Sequence, residues 1–323
     1  METISGVSNW KLVIRREAAG ITILHGETSG KKAALPEELF GLPVTALAHH
    51  ALAANRPAPP GEEVLVTCGA AQDGNNASLQ ELTLPASLRR VGDYAFLNCA
   101  KLKTLRFTDN IDFWGGSCFM NCRELDTFFL TRRKDRQGES LAYIADELSR
   151  ELDVTIHLPG GETARLIFPE YIELYEENCP AHHFDYSIFG AGYPYHHCFR
   201  EKKLQLLNYD LLWPGYLAIE HNDATARRMA FLRLRCPVEL TEQCAAEYRN
   251  YLAANAGKML CDLLEAGDVR GVAFLLQTVE VGREALTAAC ALARTLGASE
   301  ALAALLEETH KRFPAARRKR FDL

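Results

Sequence analysis

The stretch "VGDYAFLNCAKL" at residues 91–102 decides the fold, because "WGGSCFMNCREL" follows it at residues 114–125 in the same register. Apolar, asparagine and cysteine positions recur at a constant shift of 23 residues. The first set is Leu79, Leu82, Leu84, Phe96, Asn98, Cys99 and Leu102, and the second is Leu102, Leu105, Phe107, Phe119, Asn121, Cys122 and Leu125. A fixed period of this kind predicts an array of stacked repeats.

Further copies flank these two. Leu125, Phe128 and Leu130 begin a third with the same spacing, and "PVTALAHHALAAN" at 43–55 is a weaker, earlier one. Between the earlier copy and the main repeats lies an insertion, "RPAPPGEEVLVTCGAAQDGNN", at residues 56–76. Its proline, glycine and asparagine content predicts a loop.

Repetition has a physical reason, since one repeat cannot bury its own apolar face and needs an equivalent repeat on each side. In each short strand the period of two places Leu82 and Leu84 inside and the alternate residues in solvent. Phe96 and Phe119 are expected to stack in the interior. Gly92 and Gly115 are expected to permit a tight bend.

The segment "LTLPASLRRVGDYAFLNCAKLKTLRF" resembles the BspA-like, or treponemal-type, leucine-rich repeat. The resemblance covers about residues 36–130 and implies a short solenoid that recognises another protein. Members of this family are often surface adhesins with many repeats. The sequence predicts outward-facing partner contacts at Glu81, Thr83, Thr104, Arg106, Thr127 and Phe129. Phe129 is either an exposed hot spot or a residue that the following domain covers.

Different patterns follow the repeats. "LAYIADELSREL" at 141–152 predicts an amphipathic helix, and "VTIHLPGGETARLIF" at 154–168 predicts a β-hairpin that caps the array. From Pro169 the chain is expected to be helical or irregular, and from Asp223 almost entirely helical. Two segments at 263–279 and 292–308 align at Gly267 and Gly297 as helix pairs, either ankyrin-like or generic.

These patterns predict an α+β protein in three parts. The first is a leucine-rich-repeat domain at residues 1–135, and the second is a capping or connecting segment with a hairpin at 136–215. The third is an all-helical domain at 216–323, whose helix pairs are either ankyrin-like or generic.

Potential chemistry is concentrated in "CPAHHFDYSIFGAGYPYHHC" at residues 179–198. Cys179, His182, His196 and Cys198 are of the residue types that bind zinc, although their spacing is unorthodox. The alternative is a packed segment in which backbone carbonyls satisfy the histidine rings. Other catalytic or phosphate-binding motifs do not appear in complete form.

Composition restricts the partners. The chain of 323 residues has a net charge of −6 and a pI near 6, which provides no general attraction for nucleic acid or an anionic membrane. The N-terminus lacks a signal-peptide pattern, so a cytoplasmic location is expected. The sequence thus predicts a non-enzymatic protein-interaction scaffold without a cofactor. The alternatives are a zinc-binding or thiol enzyme centred on residues 179–198 and a surface adhesin.

Overall fold

The computed structural model describes residues 2–69, 75–135, 138–178, 183–220 and 223–314. The strands are, in chain order, β1 Glu2–Ser5, β2 Trp10–Glu17, β3 Gly20–Glu27, β4 Lys32–Ala34, β5 Glu38–Leu39, β6 Leu42–Leu47, β7 Glu62–Thr67, β8 Glu81–Thr83, β9 Arg90–Val91, β10 Thr104–Thr108, β11 Phe113–Trp114, β12 Thr127–Thr131, β13 Leu152–His157, β14 Thr163–Phe168, β15 Ile172–Asn178, β16 His183–Phe189, β17 Phe199–Arg200 and β18 Lys203–Leu204. The helices are α1 Ser140–Glu147, α2 Tyr193–His196, α3 Leu206–Leu211, α4 Trp213–Ile219, α5 Asp223–Arg235, α6 Glu242–Ala254, α7 Ala256–Glu265, α8 Val269–Thr278, α9 Arg283–Thr295 and α10 Ser299–Arg312.

The chain divides into two compact units, Met1–His221 and Asn222–Leu323. The strands named above lie in the first unit, and the second contains α5 to α10. The protein is therefore mixed α+β. The first unit includes both the predicted repeat domain and the whole of the predicted segment at 136–215, and the domain boundaries predicted at residues 135 and 215 stay predictions.

One sheet of the first unit is built on the repeat, with the strand order β14-β13-β12-β10-β8-β4. Its strands from β4 to β13 run parallel, so equivalent residues of successive repeats stand side by side: Leu82 pairs with Leu105, and Leu105 with Phe128. All three side chains are fully buried. The hairpin predicted at 154–168 is confirmed, because β13 and β14 pair antiparallel at the end of this sheet.

A second sheet, in the order β1-β7-β2-β3-β6-β9-β11, includes the short parallel strands β6, β9 and β11. The turns that follow these strands bond directly to one another. The N–H groups of Phe96 and Asn98 donate to the carbonyls of Cys118 and Met120 at 3.0 and 3.1 Å. We call this set of turn-to-turn hydrogen bonds the turn ladder. It continues the regular pairing of the strands through the irregular part of each repeat.

The repeated asparagines have a backbone role in these turns. Asn55, Asn98 and Asn121 adopt φ angles of 61°, 63° and 62°, which lie in the left-handed region. Asparagine tolerates this conformation better than most side chains, because it can hydrogen-bond locally. The residue type therefore recurs with the turn geometry that it permits.

The core of the array consists of the repeated apolar positions. Phe96 and Phe119 stack with ring centroids 5.5 Å apart and an interplanar angle of 6°, as predicted. A Cβ atom on Gly92 would lie 2.6 Å from the Ala48 carbonyl carbon, and one on Gly115 would lie 2.3 Å from the Asp93 nitrogen. These two glycines therefore serve the close approach of neighbouring turns.

Helix α1 follows the last repeated turn, and it is shorter than the predicted helix at 141–152. The Glu147 carboxylate at its end accepts hydrogen bonds from the N–H groups of Cys118 and Phe119 at 3.2 and 2.6 Å. In the preceding turn the equivalent Phe96 N–H donates to a backbone carbonyl of the next repeat. Glu147 thus supplies the acceptor that a further turn would have provided.

Two sequence predictions are wrong. The insertion at 56–76 is not only a loop, because it contains β7, which pairs parallel with β1 and antiparallel with β2. The alternating Val64 and Val66 bury their side chains there, and this long-range pairing overrides the loop-like composition around them. The chain after Pro169 is not only helical or irregular, because β15 and β16 form a separate antiparallel hairpin.

The helical unit contains the two predicted helix pairs. Helices α7 and α8 are joined through Gly267, and α9 and α10 through Gly297, with φ angles of 67° and 68°. At the start of α8 the Asp268 carboxylate accepts a hydrogen bond from the Gly271 N–H at 2.8 Å, which is a helix cap. The paired helices are confirmed, and the ankyrin-like assignment stays a prediction. No helix in the described part of the chain is long and apolar enough to span a bilayer.

Candidate functional site

The face of the repeat sheet that points away from its core contains the predicted partner contacts in two rows. Parallel pairing places Glu81, Thr104 and Thr127 side by side across β8, β10 and β12. The same register places Thr83, Arg106 and Phe129 side by side. We call these six residues the outer rows. The repeat thus brings together side chains that are far apart in the sequence.

Arg106 and Phe129 form the main contact within the outer rows. The guanidinium carbon of Arg106 lies 3.7 Å from the centroid of the Phe129 ring, which is a cation–π arrangement. Phe129 is half-buried, and the guanidinium covers one face of the ring. The pair combines a large apolar surface with a positive charge and multiple hydrogen-bond donors, the residue types that are enriched at binding hot spots.

The other row is polar. Lys32 forms an ion pair with Glu81 at one end of this row. Near the other end, the Lys103 ammonium lies 3.6 Å from the carboxylate of Asp126, the residue before Thr127. Thr127 donates a hydrogen bond to Asp126 at 2.6 Å. Thr104 is only 8% exposed, because its short side chain stands between two neighbouring strands. The sequence predicts Thr104 as a partner contact, but the residue contributes little to the accessible surface.

Part of the predicted zinc site is described. Cys179 and His182 lie outside the described residues, whereas His196 and Cys198 are both buried. The His196 ring nitrogens face two backbone carbonyls, with Nδ1 2.9 Å from the Ala145 oxygen and Nε2 3.0 Å from the Pro169 oxygen. Metal binding by His196 would require one of these contacts to break. The four-residue zinc site stays a prediction, and within the described ranges no three His, Cys, Asp or Glu residues are grouped as metal ligands.

The thiol of Cys198 is in an environment that does not activate it. Its Sγ donates to the Tyr195 carbonyl at 2.9 Å, and burial raises the pKa of the thiol to about 12. Thiol catalysis uses the thiolate, which this environment disfavours at neutral pH. A cavity of about 480 Å³ lies beside His196 and His197, and Trp114 and Tyr143 also line it. Within the described residues Cys198 is not part of its lining.

The hairpin of β15 and β16 is a surface that the sequence analysis missed. It exposes large apolar side chains, which include Tyr175 at 68% and Phe184 at 67%. The signal in the sequence was the alternation of apolar and polar residues in "IELYE" and "FDYSIF". Neither face of the hairpin is buried. The alternation also does not produce one uniformly apolar side, because each face contains both apolar residues and glutamates.

Comparison with known families gives one match. Residues 74–149 match a family model described as "BspA type Leucine rich repeat region (6 copies)". The matched region spans β8 to β12 and continues through α1, so it includes the outer rows and Glu147. No curated protein and no solved structure matches the chain.

Proposed function

We propose that this chain, whose residues 74–149 are a BspA-type leucine-rich repeat region, recognises another protein through the outer rows of the repeat sheet. Repeats of this family suggest protein–protein interaction or adhesion. Stacked repeats act by presenting an extended surface rather than a catalytic centre. We also propose that the repeats form a short solenoid with a preformed recognition face.

The Arg106–Phe129 pair carries the proposal. Its register neighbour Thr83 is exposed, so the row offers an apolar ring, a cation and a hydroxyl along one line. A preformed row of this kind reduces the entropy cost of binding, because the strands already fix the positions of its residues. The partner chemistry that fits is an acidic or aromatic protein segment, since carboxylates and rings both bind guanidinium groups.

A catalytic function receives less support. The buried Cys198 thiol is protonated at neutral pH, and the His196 nitrogens both face carbonyl groups. We therefore propose a non-enzymatic role without a cofactor. The zinc-dependent or thiol enzyme and the surface adhesin remain the alternatives, and a cytoplasmic location stays part of the proposal.

The test compares two double variants that each remove one cation–π pair. Arg106→Ala/Phe129→Ala changes the outer rows, and Arg90→Ala/Phe113→Ala removes the pair on the other sheet, where the guanidinium lies 4.2 Å from the ring centroid. Proteins retained from cells of the source organism by each immobilised variant are quantified by mass spectrometry. We expect the first variant to retain at least about tenfold less of a specific partner than the wild type does. The control variant should retain as much of that partner as the wild type.

Both variants must keep the circular-dichroism spectrum of the unchanged protein for the comparison to be valid. If the wild type and Arg106→Ala/Phe129→Ala retain equal amounts of the partner protein, the outer rows are not the recognition surface. Loss in the control alone would move the site to the opposite sheet.

A further inference from the structure

The hairpin of β15 and β16 is unusual in this chain because it exposes apolar side chains on both of its faces. Cross-strand pairing places Tyr175 opposite Tyr186 and Glu177 opposite Phe184 on one face, which we call the aromatic face. Ile172 pairs with Phe189 on the other. Of the sixteen large apolar side chains that are exposed in the described part of the chain, seven belong to this hairpin. Such a concentration is typical of a binding surface.

Two rings of the aromatic face, Tyr175 and Tyr186, contact each other across the strands. Tyr175 and Tyr186 have centroids 4.7 Å apart, and the Tyr186 hydroxyl hydrogen-bonds with Glu173. Ile188 lies next in the same row and is 39% exposed. Tyrosine gives a large contact area with few rotatable bonds, which makes a pair of contacting tyrosines an efficient anchor.

The strand edges are also available. In the described residues β15 pairs only with β16, so each strand has one edge without a partner strand. A two-stranded hairpin on its own is only marginally stable in water. Seven-residue strands with open edges are therefore suited to accept a third strand, and main-chain hydrogen bonds to that strand would stabilise the hairpin.

The charge of the hairpin indicates which kind of partner segment would bind it. Residues 170–190 contain Glu170, Glu173, Glu176, Glu177 and Asp185, and they contain no lysine or arginine. Glutamates lie on both faces, with Glu173 on the aromatic face and Glu176 on the other. A strand that added here would place its alternating side chains next to carboxylates and tyrosine rings, both of which attract cations.

We propose that the hairpin binds an extended, lysine- or arginine-rich segment of a partner protein by strand addition. A second copy of this chain fits less well. Antiparallel pairing of two β15 strands about Tyr175 would set Glu173 of one chain against Glu177 of the other, and directly opposed like charges destabilise a strand pair. An anionic membrane is disfavoured by the same carboxylates.

The test uses the full chain and three synthetic probes, read by fluorescence anisotropy. The probes are a fluorescein-labelled peptide of alternating lysine and valine, its glutamate–valine counterpart, and an alternating lysine–proline peptide. The last has the charge of the first but lacks half of the backbone N–H groups. We expect saturable binding of the lysine–valine peptide that weakens with salt, at least about tenfold weaker binding of the lysine–proline peptide, and none of the acidic peptide.

Two variants and two matched controls locate the site. Glu173→Lys/Glu176→Lys and Tyr175→Ala/Phe184→Ala should each weaken binding of the lysine–valine peptide at least about tenfold. Glu300→Lys/Glu307→Lys makes the same charge change on α10, and Met120→Ala/Leu296→Ala removes apolar groups that are 50% and 47% exposed elsewhere. Neither control should change the affinity by more than about twofold.

Several outcomes would overturn the proposal. Equal binding of the lysine–valine and lysine–proline peptides would exclude strand addition, and equal affinity of the hairpin variants and their controls would exclude the hairpin. A dimer in sedimentation that Tyr175→Ala/Phe184→Ala dissociates would assign the surface to a second copy. Binding to vesicles containing phosphatidylserine that the same variant abolishes would assign it to a membrane. A failed peptide test would leave the proposal for the outer rows unaffected, because that proposal concerns Arg106 and Phe129.

Discussion

At the scale of single residues, His196 shows how a histidine in a cysteine- and histidine-rich segment can serve packing. The imidazole is 1% exposed, stands between α1 and the chain after β14, and contacts Phe168 edge-on at a centroid distance of 5.7 Å. Its two nitrogens face the Ala145 and Pro169 carbonyls. Burial lowers its pKa from 6.5, although the carbonyl contacts favour the charged form.

This shift predicts a pH-dependent stability. Because the pKa of His196 is lower in the folded than in the unfolded chain, the unfolded state binds more protons between the two values. The contribution is fully present above pH 6.5 and is lost as the pH falls below it, with a slope of at most about 1.4 kcal/mol per pH unit. Urea unfolding between neutral and mildly acidic pH measures it. His196→Gln should remove this slope, and the exposed His197→Gln should not.

The opposite slope would have a specific meaning. If the wild type gained stability over His196→Gln below pH 6.5, the two carbonyls would be holding a doubly protonated ring. Stoichiometric zinc in the purified protein, together with a loss of stability on chelation that His196→Gln abolishes, would instead support the predicted metal site.

Residue-level prediction from the sequence worked where the repeat fixed the orientation. Leu82 and Leu84 are buried and Thr83 is exposed, because a strand period of two leaves no other arrangement once the core side is known. Exposure of individual outward residues was less predictable. The burial of Thr104 and the stacking of Arg106 on Phe129 depend on neighbours in adjacent strands, which only the register reveals.

At the scale of elements, the end of the turn ladder depends on one carboxylate. Burial raises the pKa of Glu147, and its oxygens accept from the Phe119 and Cys118 N–H groups. Glu147→Ala would leave both donors without an acceptor in a half-buried position. The expected cost is about 1–3 kcal/mol in the free energy of unfolding, because unsatisfied buried donors lose their solvation.

Urea denaturation measures this cost, and amide hydrogen exchange at Cys118 and Phe119 locates it. Glu147→Gln should cost less than Glu147→Ala, since the amide retains one acceptor oxygen. The neighbouring Asp146 is exposed, so Asp146→Ala is the matched control and should change stability by less than about 0.5 kcal/mol. Identical exchange at the two amides in Glu147→Ala and Asp146→Ala would show that Glu147 does not terminate the ladder.

Element prediction succeeded where the pattern was local. The repeat, the hairpin of β13 and β14 and the paired helices of the second unit follow from spacing and turn residues within about 30 residues. Strand β7 was missed because its partners β1 and β2 lie more than 45 residues earlier in the chain. The hairpin of β15 and β16 was missed because it packs neither face in a core, so its pattern lacked a buried side.

At the scale of the whole molecule, each of the two units has its own core. In the first, Leu82, Phe96 and Leu105 are fully buried within the repeat array. In the second, Leu260, Leu275 and Leu305 are fully buried, and α7 packs against α9 while α10 packs against α8 and α9. A separate core is the physical condition for independent folding of a domain.

We therefore predict that residues 1–221 and 222–323 each fold when expressed alone. The helical fragment should show helical circular dichroism and a cooperative thermal transition, because helices of 10 to 14 residues gain most of their stability from tertiary packing within that fragment. The sum of the two fragment spectra should reproduce the spectrum of the full chain. A helical fragment that remains unfolded, or that regains structure only when the other fragment is added, would show that the two cores depend on each other. In that case the outer rows and the hairpin would have to be tested only in the full chain, because variants in one unit could then act through the stability of the other.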